Sequence, residues 1–149
     1  MIHVEAESAV QAVPSELVER AARAALRQQA AEGDLTVALS DDGHLREMNR
    51  QYLGVDAPTD VLSFPASETD PESGARYLGD ILISIPRARA QAASAGHPLE
   101  AEVQLLVVHG VLHLLGFDHA GPRQKSRMWK AQAEILGELG LAGIRIPGS

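Results

Sequence analysis

The order of apolar and polar positions along the chain predicts strands and helices that alternate. Four segments are predicted strands because apolar and polar residues alternate in them or β-branched residues accumulate, namely residues 2–5, 35–40, 59–64 and 77–85. From residue 15 to about residue 31, apolar side chains recur at the spacing of one helix face. Gly33 is expected to end this helix.

Proline, glycine and aspartate residues mark the ends of further helices. Four more helices are predicted, at residues 44–53, 87–95 and 99–115 and from about residue 123 to 136 or 139. Asp41 or Asp42 can cap the first of them, while Gly96 and Gly116 end the second and third. Gly79, inside the last strand, predicts a bulge or a close approach of another backbone.

One of these helices carries an unusually apolar sequence, "LEAEVQLLVVHGVLHLL". Since it is apolar on nearly all sides, we expect it to be buried at the centre of the molecule. The chain has 149 residues, which suits one domain with one core, and it shows no internal repeat.

Composition restricts the chemistry that the chain can perform. It contains no cysteine, so disulfides and thiolate metal ligands are excluded and any metal must take nitrogen or oxygen ligands. No cationic start followed by an apolar run is visible, and no apolar stretch approaches the roughly 18 residues that span a bilayer. We therefore expect a cytoplasmic protein with no membrane contact.

The net charge of −7 argues against binding of nucleic acid through the overall electrostatic field. The segment "PRQKSRMWK" is an exception, because it carries Arg123, Lys125, Arg127 and Lys130 with no acidic residue among them. It predicts either a local basic patch or an ordinary solvated helix face.

Three of the six histidines lie within eleven residues, in "HGVLHLLGFDH". His109 and His113 are four residues apart, so both rings leave the same side of a helix. Gly116 permits a reversal that can return His119 as a third ligand. Three neutral imidazoles form an open tetrahedral site that suits zinc, and such a metal can activate water and polarise a phosphoryl or carbonyl oxygen.

The spacing is that of zinc peptidases, but the general base of those enzymes is missing. Gly110 occupies the position of their catalytic glutamate. Asp118 is an alternative base, an acceptor for a ligand ring, or a turn residue. Glu102 is another candidate base, or a partner of the positive helix N-terminus.

Three motifs of the chain resemble those of the bacterial YbeY endoribonuclease family of ribosomal RNA maturation factors. They are "PTDVLSFP" (residues 58–65), "LGDILIS" (residues 78–84) and "HGVLHLLGFDH" (residues 109–119), in the order typical of the family. With "MNRQYLGVDAP" before them, they cover roughly residues 45–120.

The resemblance implies an α+β fold, a zincin-like single domain over residues 1–149 with a small mixed β-sheet packed on a central buried metal-binding helix. It implies one metal ion, usually Zn²⁺, on His109, His113 and His119. It further implies metal-dependent cleavage of single-stranded RNA, in maturation of the 3′ end of 16S ribosomal RNA and in ribosome quality control. The implied partners are ribosomal RNA, the small ribosomal subunit and an Era-type GTPase.

One residue departs from the family pattern, since Leu53 stands where the family usually has an arginine. A guanidinium there would suit a phosphate, and Arg50, one turn earlier, is either a replacement or an unrelated surface residue. Within the matched motifs, Ser63 is expected to bond a phosphate or the backbone. Asp80 is expected to orient a ligand histidine or to cap a loop.

Three functions follow from these observations. The first is a metal-dependent endoribonuclease that acts on ribosomal RNA. The second is a metallopeptidase-like hydrolase, which has the histidine spacing in its favour and Gly110 against it. The third is a non-catalytic ribosome assembly factor with a structural zinc ion.

Overall fold

A computed structural model describes residues 1–6, 13–118 and 120–144. These residues form four strands, β1 (Ile2–Ala6), β2 (Asp34–Ser40), β3 (Val61–Pro65) and β4 (Tyr77–Ser84). They also form five helices, α1 (Ser15–Gln28), α2 (Asp42–Leu53), α3 (Ile85–Ala95), α4 (Leu99–Leu114) and α5 (Pro122–Glu138). Within the described part of the chain, no helix combines the length and the hydropathy that a membrane span needs.

The strands form one mixed sheet in the order β1-β2-β4-β3. β1, β2 and β4 are parallel, and β3 lies antiparallel to β4 at the edge. The register between β2 and β4 shifts next to Gly79, which has a φ of +138°. A Cβ atom at Gly79 would lie 2.2 Å from the carbonyl oxygen of Phe64, so the predicted bulge and close approach are both confirmed.

The two faces of the sheet are covered differently because side chains alternate along each strand. Ile81 and Ile83 of β4 belong to the main core with α1, α4 and α5, whereas Leu82 packs with Leu45 of α2 and Leu62 of β3 on the opposite face. Helix α4 lies in the main core, and twelve of its sixteen residues are buried. The α+β fold with a small mixed sheet on a central buried helix is therefore confirmed.

Most helix ends lie close to their predicted positions, and one does not. Asp41 caps α2 by accepting a hydrogen bond from the His44 amide at 2.8 Å. Helix α1 ends at Gln28 rather than near residue 31, because Ala30 adopts a left-handed φ of +51°. Gly33 does not end the helix; a Cβ atom there would lie 2.7 Å from Leu78, so Gly33 allows the chain to pass close to β4.

Candidate metal centre

His109 and His113 turn their Nε2 atoms toward one point on the surface of α4. The two Nε2 atoms are 3.1 Å apart, and the rings are inclined by 66°. The spacing of four residues produces this convergence, as the sequence predicts. Two imidazole nitrogens at this distance share either a proton or a cation.

Gln132 of α5 selects the tautomer of the neutral His109 ring. Its Oε1 atom lies 2.9 Å from His109 Nδ1. An amide oxygen only accepts hydrogen bonds, so Nδ1 must carry the proton and donate. The lone pair of His109 is then on Nε2, which faces His113, and this is the tautomer that a metal ligand requires.

The histidine pair fits zinc by its spacing and its donor chemistry. Two nitrogens bound to one zinc ion at about 2.0–2.1 Å and tetrahedral angles would lie about 3.3 Å apart, close to the separation found here. His119, the third predicted ligand, lies outside the described residues. Among the residues that the structure does describe, no three His, Asp or Glu side chains converge, so the full triad stays a prediction.

The position of Gly110 explains why no glutamate follows the first histidine. A Cβ atom on Gly110 would lie 2.8 Å from Cγ2 of Ile81 in β4, so helix and sheet approach too closely for a side chain. The Ser63 hydroxyl also donates to the Gly110 carbonyl, at 3.4 Å. A glutamate side chain at position 110 would point into the sheet and away from the histidine pair. Ser63 has the backbone partner that was one of its two predicted roles.

Glu102 lies about 10 Å before His109 along the axis of α4, and it belongs to a separate buried network. Its Oε1 atom is 2.7 Å from His97 Nε2. With its amide nitrogen turned toward them, Gln91 donates to Glu102 at 3.1 Å and to Asp60 at 3.3 Å. Burial raises the pKa of the Glu102 carboxyl, and the hydrogen bond from His97 opposes that rise. These contacts hold Glu102 away from the histidine pair.

Four further residues that the sequence singles out lie outside the helix that carries the pair. Arg50 is paired with Glu47 on α2, a helix whose Leu45 packs on the face of the sheet opposite the main core, and its role as a replacement for the arginine stays a prediction. Leu53 is exposed at the end of α2. The Tyr77 hydroxyl donates to Asp80, and the two roles predicted for Asp80 stay predictions. Asp118 is exposed and lines a shallow pocket with Arg127.

A cavity of about 170 Å³ opens beside the histidine pair and shares His109 with it. Trp129 of α5 forms another wall, with its ring centroid 6.1 Å from that of His109 and the planes at 87°. Asp60 and Gln132 are its polar lining residues. Its aliphatic lining comes from three side chains, Val61, Leu105 and Leu106.

Two cations of the basic segment lie over aromatic rings near this site. Lys125 Nζ is 5.6 Å from the centre of the Trp129 ring, and the Arg127 guanidinium is 5.9 Å from that of Phe117. Both distances are within the range of cation–π attraction. The first half of α5 therefore presents positive charge beside the histidine pair.

Sequence reasoning missed Gln132 and Trp129. Gln132 is fully buried although its neighbours on the inner face of α5, Met128 and Ile135, are apolar. A glutamine in an apolar stripe is the signal that could have identified it, since a buried amide needs a partner. Its histidine partner comes from another helix, 23 residues away, so no local spacing indicates the contact.

Comparisons with known proteins show which family the chain resembles. A family model described as endoribonuclease YbeY matches residues 2–140. A protein named endoribonuclease YbeY from Chloroflexus aurantiacus is 49% identical over 135 residues, which cover 85% of this chain and 88% of the relative. One of the same name from Pelotomaculum thermopropionicum is 44% identical over 130 residues, covering 84% and 86%. A solution structure of a Thermotoga maritima protein matches with a TM-score of 0.60 and 26% identity, covering 100% of this chain and 99% of that one.

Proposed function

The chain belongs to the YbeY endoribonuclease family, and from this membership we propose that it is a metal-dependent endoribonuclease that cleaves single-stranded RNA. The observation that carries the proposal is the convergence of the His109 and His113 Nε2 atoms with Gln132 behind the first ring. The substrate we propose is the 3′ end of 16S ribosomal RNA. The small ribosomal subunit, an Era-type GTPase and a role in ribosome quality control belong to the same proposal.

We propose that His109, His113 and His119 hold one zinc ion. Neutral imidazoles are ligands that zinc prefers, and the chain has no cysteine to compete. A zinc ion bound there supplies Lewis acidity that stabilises negative charge on a phosphoryl oxygen.

The residues of the chain prepare the site for this chemistry. Gln132 holds the His109 ring in one orientation and keeps its proton on Nδ1. Helix α4 is packed against β4 without a side chain at Gly110, so the two histidines sit on a rigid support. The same packing leaves no room for the glutamate base of a peptidase at that position, which counts against the metallopeptidase alternative.

Cleavage of a labelled single-stranded RNA by zinc-loaded protein tests the proposal. We expect the wild type to cut the RNA and His113→Ala to lose activity beyond the roughly 100-fold that loss of an outer-shell partner costs. His3→Ala, which removes an exposed histidine on β1, is the matched control and is expected to cut normally. An intact RNA after incubation with zinc-loaded wild type would refute the function. The product ends identify the attacking group, because a 2′,3′-cyclic phosphate indicates the RNA 2′-hydroxyl.

A further inference from the structure

We propose that the cavity between Trp129 and Asp60 is a subsite for one nucleobase of a single-stranded RNA, and that Lys125 binds a phosphate next to that base. This inference rests on the proposed function and names how the same site takes its substrate. The cavity shares His109 with the histidine pair, so a base bound in it places the adjoining phosphate beside that pair.

The size of the cavity selects a single ring system. Its volume of about 170 Å³ is below the roughly 300–1,000 Å³ of sites that enclose a whole small molecule. A planar base fits this volume, while its sugar and phosphate remain outside. The aliphatic side chains Val61, Leu105 and Leu106 offer an apolar surface to such a ring.

Trp129 is the stacking surface of the proposed subsite. Its indole is half-buried and stands edge-on to His109, which fixes one wall of the cavity. Proteins that bind single strands combine aromatic rings, on which bases stack, with cations that follow the phosphates. Trp129 and Lys125, one turn apart on α5, supply this combination.

The charge distribution supports a nucleic-acid strand at this place. The chain carries a net charge of −7, yet residues 123–130 hold four basic residues and no acidic one. Lys125 is exposed, so a phosphate can reach it. Lys125 lies over the Trp129 ring that lines the cavity, which supports the local basic patch among the two interpretations that the sequence allows.

Two polar groups match the edge of a base. The Asp60 carboxylate, held by the Val61 amide at 2.8 Å, accepts hydrogen bonds from amino or imino groups. Gln132 is fully buried, and within the described part of the chain its Nε2 atom has no hydrogen-bond partner. A carbonyl oxygen of a base would satisfy that donor, because a buried amide N–H without an acceptor costs free energy.

Fluorescence gives a direct readout because Trp129 is the only tryptophan of the chain. Zinc-loaded protein is titrated with a short 2′-O-methyl oligonucleotide, which has no free 2′-hydroxyl, and with copies that each lack one base. We expect the intact oligonucleotide to quench the fluorescence of Trp129. Removal of the base at one position should abolish quenching and weaken binding by roughly 5- to 150-fold, the range for one stacked base. Equal quenching by every copy would overturn the subsite.

Variants separate stacking from charge. Trp129→Ala should raise KM for RNA while Trp129→Phe restores it, because phenylalanine keeps an aromatic face. Lys125→Ala should reduce the slope of log affinity against log salt by about 0.7, the value for one phosphate of a single strand. Arg23→Ala on α1 removes the same charge from another exposed site and should leave the slope unchanged. Equal slopes for the two charge variants would refute the role of Lys125.

The two proposals fail in different ways. If zinc-loaded wild type does not cut RNA but the fluorescence depends on one base, the proposed function fails and the subsite stands. If wild type cuts RNA while neither the missing base nor Trp129→Ala changes binding, the subsite fails and the function stands. The missing-base series uses the wild type only, so it decides the question even if Trp129→Ala does not fold.

Discussion

At the scale of single residues, Gln132 decides which nitrogen of His109 faces the predicted metal. Its Oε1 atom accepts from Nδ1 at 2.9 Å, so the lone pair remains on Nε2. Gln132→Ala removes this acceptor, and we expect zinc affinity to fall by about 10- to 100-fold, as for other outer-shell partners. Competition with a chelator of known affinity measures the change. Gln132→Glu retains an acceptor and should keep most of the affinity; loss of affinity in that variant too, with a normal fold, would contradict the role.

Glu102 shows a second residue-level effect, in the dependence of stability on pH. Burial raises the pKa of Glu102 above its ordinary value of 4.5, so above that pH the folded state binds more protons at this group than the unfolded state. The contribution of the Glu102 carboxyl to the free energy of unfolding is therefore fully present at low pH. It is lost as the pH rises through the pKa of Glu102 in the folded state. Glu102→Gln removes the titration while keeping a hydrogen-bond acceptor for His97.

We accordingly expect the free energy of unfolding of Glu102→Gln to improve relative to wild type as the pH rises above 4.5. Urea unfolding at pH values on both sides of 4.5 measures this difference. Glu134→Gln, at an exposed carboxylate on α5, is the control and should show little change. A difference for Glu102→Gln that stays constant with pH would contradict the raised pKa.

At the scale of elements, the contact between α4 and β4 depends on Gly110. Gly110→Ala places a Cβ atom 2.8 Å from Ile81, and overpacking of this kind costs roughly 1–3 kcal/mol, more than the about 1 kcal/mol that alanine gains in a helix. We expect a lower free energy of unfolding, measured by urea denaturation. Gly137→Ala in α5 meets no atom within 4 Å and should be neutral or stabilising. A Gly110→Ala protein as stable as Gly137→Ala would contradict the close contact.

The elements also show what the sequence could and could not predict. Prolines and glycines act within a few residues, so the ends of α3, α4 and α5 lie within about two residues of their predicted positions. The convergence of His109 and His113 is predictable because it depends only on helical periodicity. The contacts of Gly110 with Ile81 and of His109 with Gln132 join distant segments, so no local pattern reveals them.

At the scale of the whole molecule, the fold places three segments around one site. Helix α4 contributes the histidine pair, α5 contributes Gln132, Trp129 and the basic segment, and the start of β3 contributes the wall at Asp60. Helix α2 packs on the opposite face of the sheet through Leu45, and the two cations that lie over aromatic rings, Lys125 and Arg127, belong to α5. The chain has a net charge of −7, yet residues 123–130 of this helix hold four basic residues and no acidic one.

We expect cleavage of RNA to depend on a metal ion held at the histidine pair. The most direct measurement is a titration of chelator-treated protein with zinc, in which bound zinc and the rate of cleavage of single-stranded RNA are recorded in the same samples. We predict that both rise together and saturate at one ion per chain, and that His109→Ala shows neither. Full cleavage by the chelated protein, or binding of zinc with no recovery of cleavage, would contradict this dependence on the metal.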